Sequence, residues 1–526
     1  FKFLNPYALR FYCHHQEPFA FWRKPEMSFT STTFLRALPP LFFLYYVLPK
    51  KAQWPLLLLA SLCFYCFAGW QGLCYVVFTV LSSYLVSLRI DALRRRQKAY
   101  VARHRSALSR ESRKAYNAGQ KKIQRRWLML GMALGFGLLA ATKILAAPFW
   151  SRGENGMDII VPLGISFYTF RVMGYLIDVF WGKTRAERNP CKLALFTLFF
   201  PLVAQGPISR YDSLSETLLA PHSFEWHSFA RGLQRIIWGY FKKLVIADRL
   251  MIAIAVLTQS SGEYTGLFAL FAMLVYAAAL YSDFTGGMDI AIGIGQCLGI
   301  QIEENFLSPF RSKSIFEYWR RWHITMGTWF RDYVFYPVSV SKPIKKLPTR
   351  LKIYIATMIT WFVTGIWHGV AWSFVVWGLA NGVVILISQE CLPLYRKFHA
   401  KFPKIKSRAY DVFQVIRTFL LLALLRSFDI YPDVPMTFRQ IGSIVLRPRA
   451  GAFFGSMNPT DWLGLSWPGW LVAGLGICLL IAAPWFRREE AKRPPALFWA
   501  LLVLAILLFG VYGPGYDAGS FIYTRF

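Results

Sequence analysis

Apolar runs close to the length of a bilayer crossing recur along the whole chain, and they exclude most folds at once. They lie near 36–48, 53–69, 71–88, 127–148, 161–182, 264–281, 284–301, 353–391, 411–426, 467–485 and 496–512. Runs of this kind predict transmembrane helices, the first of them short and broken by proline. With 526 residues, 55% hydrophobic and 17% aromatic, the chain is expected to be a polytopic membrane protein and not several soluble domains.

The formal charge of +33 would suggest nucleic acid in a soluble protein. Here much of the excess falls between apolar runs, as cytoplasmic loops require, and no nucleic-acid-binding motif accompanies it. Residues 89–126 are dense in Lys and Arg against only Asp91 and Glu111. They predict a cytoplasmic, helical segment near anionic headgroups. Two more basic stretches, Lys342–Lys352 and Arg396–Arg408 (with Lys404 and Lys406), flank 353–391. If both are cytoplasmic, the residues between them form a membrane hairpin. The eight cysteines are scattered, and the lone Cys63/Cys66 pair inside a predicted helix indicates neither a zinc site nor a disulfide framework. Residues 1–26 are polar-aromatic and precede Met27, which marks them as an upstream extension; 27–526 reads as one membrane domain.

Several segments depart from a plain spanning pattern. Arg171 and Asp178, seven residues apart, lie about two turns along one helix face and are expected to pair with each other or with other polar groups. Residues 199–211, interrupted by Pro201, Gly206 and Pro207, suit a re-entrant segment. Lys242 and Lys243, on an amphipathic helix at 231–250, are expected to snorkel to an interface. Asp283 and Asp289 sit in a glycine-rich apolar stretch. They can hold substrate or a histidine, and the setting favours helix-end caps and interhelical bonds. Residues 319–337 alternate Trp319, Trp322, Trp329 and Phe330 with Arg320, Arg321, Arg331 and Asp332. That reads as one interfacial helix with His323 turned inward beside Trp319 and Gly327.

His368 lies in the middle of WFVTGIWHGVAWSFVVWG at 361–378, where an ionisable group at membrane depth is a functional-site hypothesis by default. Helical spacing puts Gly365, His368, Gly369 and Trp372 on one face, and the glycines allow close helix approach. His323, 45 positions upstream, is a second histidine in an aromatic membrane setting. The chain shows no G-x-S-x-G elbow, Walker loop, H-E-x-x-H pair or acidic metal cluster. Neutral imidazole suits proton removal near neutral pH. Acyl transfer from an activated donor to a hydroxyl needs such a base and no protein nucleophile.

The stretch 282–337, with NFLSPF at 305–310 and WRRWHITMGTWFRDY after it, closely resembles the membrane-bound O-acyltransferase (MBOAT) family. The segment 361–378 resembles that family's central histidine motif. VPLGISFYTF, GPISRY, GYFKKLVIADRL and the terminal SFIYTRF at 520–526 are similar to its alginate O-acetylation branch. The resemblance implies an all-α fold of roughly 11–13 transmembrane helices, with re-entrant and interfacial helices around a central tunnel. It implies a catalytic core at 282–390, with His368 as general base and His323 as a second catalytic position that orients the donor or stabilises charge. Trp319, Trp322, Trp367, Trp372, Asp283, Asp289 and Arg331 are the expected substrate contacts. No metal or tightly bound cofactor is implied. The implied donor is acetyl-CoA on the cytoplasmic side of the cell membrane. The implied partner is a separate extracytoplasmic acyltransferase or polymer-synthesis complex, and the outcome is O-acetylation of a polysaccharide or envelope polymer.

Other classes share parts of this pattern. D-alanyl transfer proteins of teichoic acid synthesis share most of the motifs, and SFIYTRF with 161–170 tilts the reading to the acetyl branch. A proton-coupled transporter or flippase would use the histidines and buried carboxylates as a relay, but inverted repeats are not evident. A non-catalytic scaffold for an envelope complex is the third class.

Overall fold

The computed structural model describes residues 28–145, 161–403, 407–431, 433–486, 495–513, 516–517 and 521. The extension 1–26, Lys404, Lys406 and most of 520–526 lie outside them. Among the described residues the chain is helical, with only isolated bridges and no strands. In chain order the helices are α1 (Thr32–Val47), α2 (Gln53–Gly69), α3 (Leu73–Arg103), α4 (Arg110–Leu145), α5 (Ile165–Trp181) and α6 (Pro190–Leu198). Next come α7 (Tyr211–Leu218), α8 (Trp226–Tyr240), α9 (Asp248–Gln259), α10 (Leu267–Cys297), α11 (Ile315–Arg321) and α12 (Ile324–Phe330). The chain continues with α13 (Thr349–His368), α14 (Trp372–Glu390), α15 (Leu392–Lys401), α16 (Arg408–Ile430), α17 (Val434–Leu446), α18 (Trp467–Phe486) and α19 (Ala496–Phe509).

Among the described residues, Trp70–Arg103, Arg110–Ile144, Leu267–Cys297 and Trp372–Glu390 are long and apolar enough to cross a membrane. Trp467–Ala483 and Ala496–Phe509 are shorter apolar helices. The membrane-protein class read from composition is therefore what the chain builds. Its helices form two compact units. One is built on Leu35–Gly232 with Ile294–Glu303, the other on Leu233–Gly293 and the described residues from Glu304 onward.

In the first unit α3, α4 and α5 pack together. A Cβ placed on Gly135 of α4 would lie 2.5 Å from Cε of Met173 on α5, so glycine sets their approach. α3 and α4 cover most of the basic 89–126 stretch, which is helical as expected. α1 runs through Pro39 and Pro40 and is not broken by them; neighbouring groups can take over freed backbone partners in such helices. Arg171 is satisfied by the carbonyls of Phe196 (3.1 Å) and Thr197 (2.8 Å), while Asp178 lies 3.8 Å from Lys183. The expected Arg171–Asp178 pair is replaced by backbone acceptors, which satisfy a buried guanidinium without a second buried charge. Residues 199–211 contain one helical turn (Phe200–Val203) and then buried, non-helical backbone.

In the second unit a single α10 replaces the two helices expected at 264–281 and 284–301, so Asp283 and Asp289 are mid-helix and cap nothing. α10 crosses α8 closely: a Cβ on Gly239 would lie 2.7 Å from the carbonyl oxygen of Gly286. α8 continues into a π-turn at Phe241–Ala247, a local widening often found at functional sites. α13 and α14 form the expected hairpin. A Cβ on Gly378 would lie 2.4 Å from the carbonyl oxygen of Trp361. α16 packs against α14.

Candidate active site

Asn305 organises the first half of the site. The segments around Phe306 and Trp322 meet in an antiparallel bridge, with Leu307 N–H donating to the Arg321 carbonyl at 3.0 Å. Asn305 then grips the next turn. Its carbonyl accepts from Ile324 N (3.0 Å), and its Oδ1 accepts from Thr325 N and Thr325 Oγ1, both at 3.0 Å. The His323 Nδ1 lies 3.2 Å from the same Oδ1. This is what the NFLSPF stretch does physically: it pins the chain where a helix stops and restarts.

That stop corrects the single helix expected over 319–337. α11 ends at Arg321, and His323 has φ 46° and ψ 53°, in the left-handed region, before α12 begins. A non-glycine residue there is strained, and such strain concentrates at functional sites. His323 is fully buried, with Phe284 5.0 Å away edge-on. Burial, with Arg426 adding repulsion, pushes His323 down from its ordinary 6.5 to about 3.

His368 supplies the second half. It is the last residue of α13, at the hairpin turn and not mid-helix, and it is 5% exposed. Its ring centre is 4.8 Å from that of Trp367 and 4.7 Å from that of Trp377. Trp367 in turn lies 6.1 Å from His323. The two histidines therefore flank one indole ring, although neither sequence spacing nor helical periodicity relates them.

Arg426 of α16 closes the cluster. Its guanidinium carbon sits 4.9 Å from the Trp322 ring centre, 5.2 Å from Trp377 and 5.9 Å from Trp319. Its Nη1 donates to Asp429 at 2.9 Å. A desolvated cation over indole faces is a favourable contact worth about 2 kcal/mol or more. Arg426 and Trp377 are the residues that sequence reading missed. The available signal was an arginine at the end of the apolar run 411–426.

Trp319, Trp322 and Trp367 are thus in the cluster as expected, but Trp372 is not. α13 ends before it, the helical register is lost, and it is 77% exposed at the start of α14. Arg331 is also outside, half-exposed and paired with Asp332 at 2.8 Å.

The two aspartates belong to an ion-pair network along the α8–α10 crossing. Lys243, with no exposed surface, contacts Asp283 and Asp248, each at 2.7 Å. Lys242 contacts Asp289 at 2.6 Å and Thr285 at 2.7 Å. Arg235 joins Asp289 (2.9 Å) to Glu304 (2.5 Å). The lysines expected at an interface are buried because three partners lie on the facing helices. A cavity of about 440 Å³ opens here, lined by Arg235, Lys242, Thr285, Asp289, Asn305 and Phe306 among others. Asp289 faces that space; Asp283 does not line it.

A family model described as MBOAT, membrane-bound O-acyltransferase family, matches residues 185–428. A probable alginate O-acetylase, AlgI, of Azotobacter vinelandii is 35% identical over 379 residues, 69% of this chain and 69% of its own length. The chain belongs to the membrane-bound O-acyltransferase family. A second probable alginate O-acetylase, from Pseudomonas syringae pv. tomato, is 31% identical over 418 residues, covering 76% of this chain and 71% of the relative. The peptidoglycan O-acetyltransferase of Helicobacter pylori is 29% identical over 417 residues, 72% of this chain and 73% of its own. This MBOAT protein is a membrane acyltransferase, and the family match contains His323, His368, Asn305 and Arg426.

Proposed function

We propose that this protein is a multi-pass plasma-membrane enzyme that moves an acetyl group from a cytoplasmic thioester, acetyl-CoA, through a membrane tunnel to a hydroxyl. The destination is O-acetylation of an extracytoplasmic polysaccharide, in concert with a separate extracytoplasmic acyltransferase or polymer-synthesis complex. The relatives' names support the transferred group. The observation that carries the chemistry is the pair of buried histidines on either side of Trp367. In the reaction His368 takes the proton of the acceptor hydroxyl as its oxygen bonds to the acyl carbon. The carbon–sulfur bond then breaks, and the thiolate leaves and takes up a proton. Trp367 and Trp377 wall the imidazole and exclude competing water. General-base assistance supplies about 10²–10⁴-fold.

The test is mass analysis of envelope polymers from cells with and without this chain. The reading expects O-acetyl esters that depend on it. Loss of D-alanyl esters instead would assign the aminoacyl branch, and unchanged polymers would remove the acyl-transfer reading.

A further inference from the structure

The side-chain oxygen of Asn305 can be told from its nitrogen by its neighbours. The backbone N–H of Thr325 only donates, and it lies 3.0 Å from the atom in question, which is therefore the oxygen. The amide nitrogen points the other way, 3.5 Å from the Met288 thioether, a weak acceptor. The same oxygen lies 3.2 Å from His323 Nδ1. An amide oxygen has no proton to give, so the proton between them sits on Nδ1, and neutral imidazole then carries its lone pair on Nε2.

We infer that Asn305 is a positioning residue that holds His323 as the Nδ1–H tautomer, so that His323 meets the reacting groups through an accepting Nε2 and not as an N–H donor. This rests on reading His323 as a group of the reaction site. It also chooses between the roles open to a second histidine. Stabilising an oxyanion requires an N–H at Nε2, which this tautomer lacks. Accepting a hydrogen bond or a proton from a hydroxyl or amide does not. The grip is on the backbone as well, since Ile324 N–H donates to the Asn305 carbonyl at 3.0 Å. The left-handed turn that aims the ring is therefore held by the same residue that sets its proton. The low proton affinity of the buried ring keeps the imidazole in its neutral form, the only one with a tautomer to select.

The experiment uses the full chain in lipid nanodiscs, ¹⁵N-labelled at histidine, with His323→Gln assigning the resonance. Wild type should show Nδ1 protonated and Nε2 with the shift of an unprotonated ring nitrogen. Asn305→Asp keeps an acceptor and should keep that signature. Asn305→Leu should lose it and lower turnover about 10²-fold, near the lower end of base assistance, with KM for the acyl donor little changed. Thr325→Val removes a donor to Asn305 without touching His323, and should lower the melting temperature while sparing the tautomer and most turnover. A wild-type spectrum with Nε2 protonated would overturn the inference. So would Thr325→Val losing as much turnover as Asn305→Leu, since Asn305 would then only hold the fold. If Asn305→Leu does not fold, the wild-type and Asn305→Asp spectra decide. The expected tautomer in a chain that transfers no acyl group would support the role of Asn305 and defeat the functional reading separately.

Discussion

His323 is held neutral by its surroundings, and that has a consequence for stability that can be read by titration. Its folded value near 3 lies below its ordinary 6.5, so between those values the unfolded chain binds a proton that the folded chain refuses. Stability therefore falls as pH drops through 6.5 towards 3, and is unaffected by this group above that window. The difference in melting temperature between wild type and His323→Gln should shrink steadily on acidification from pH 7. Parallel melting curves across that range would show that burial does not disfavour the imidazolium. At this scale the sequence was partly legible. The two histidines stood out because apolar neighbours make an ionisable side chain conspicuous. Lys243 was misread as snorkelling because its partner Asp283 is 40 positions away, and local pattern cannot report a partner on another helix.

The α13–α14 hairpin depends on two glycines meeting where its helices cross. A Cβ on Gly378 would lie 2.4 Å from the Trp361 carbonyl oxygen and 3.0 Å from the Cα of Gly365. Backbone cannot give way as a flexible side chain can. Gly378→Val should force the helices apart, displace Trp377 from His368 and abolish acyl transfer. It should also cost about 1–3 kcal/mol of stability, the usual range for overpacking. The outcome is checked by turnover and thermal melting of purified protein, and wild-type values in both would refute the crossing. Element boundaries were the least legible feature. The break at His323 is made by Asn305, 18 positions away, and aromatic-basic alternation is the same whether the helix continues or stops. The fusion of 264–281 with 284–301 was hidden because Asp283 and two glycines mimic a helix end, whereas their partners Lys243 and Gly239 make them a crossing. The error at Trp372 has the same origin: extending α13 past His368 put the wrong tryptophan on the histidine's face.

For the whole molecule, the membrane class, the helical fold and the family were legible because bilayer-length apolar runs and a long joint motif set are global features. What was not legible was the assembly of the site, which draws on 305–323, 361–377 and Arg426. The charge pattern makes one further commitment: residues 89–126 and 396–408 face the cytoplasm. Single cysteines at Ala107, in the turn between α3 and α4, and at Ala400 in α15 should resist an impermeant thiol reagent in intact cells. Labelling of either would reverse the assignment. The central claim is that His368 takes the proton of the acceptor in an O-acyl transfer. Its most direct test is acyl transfer per folded molecule in reconstituted protein carrying His368→Gln, beside His368→Ala. An amide can hydrogen-bond but cannot accept the proton, so both variants should insert and fold yet fall at least about 10²-fold below wild type. Near-normal transfer by His368→Gln would contradict the account.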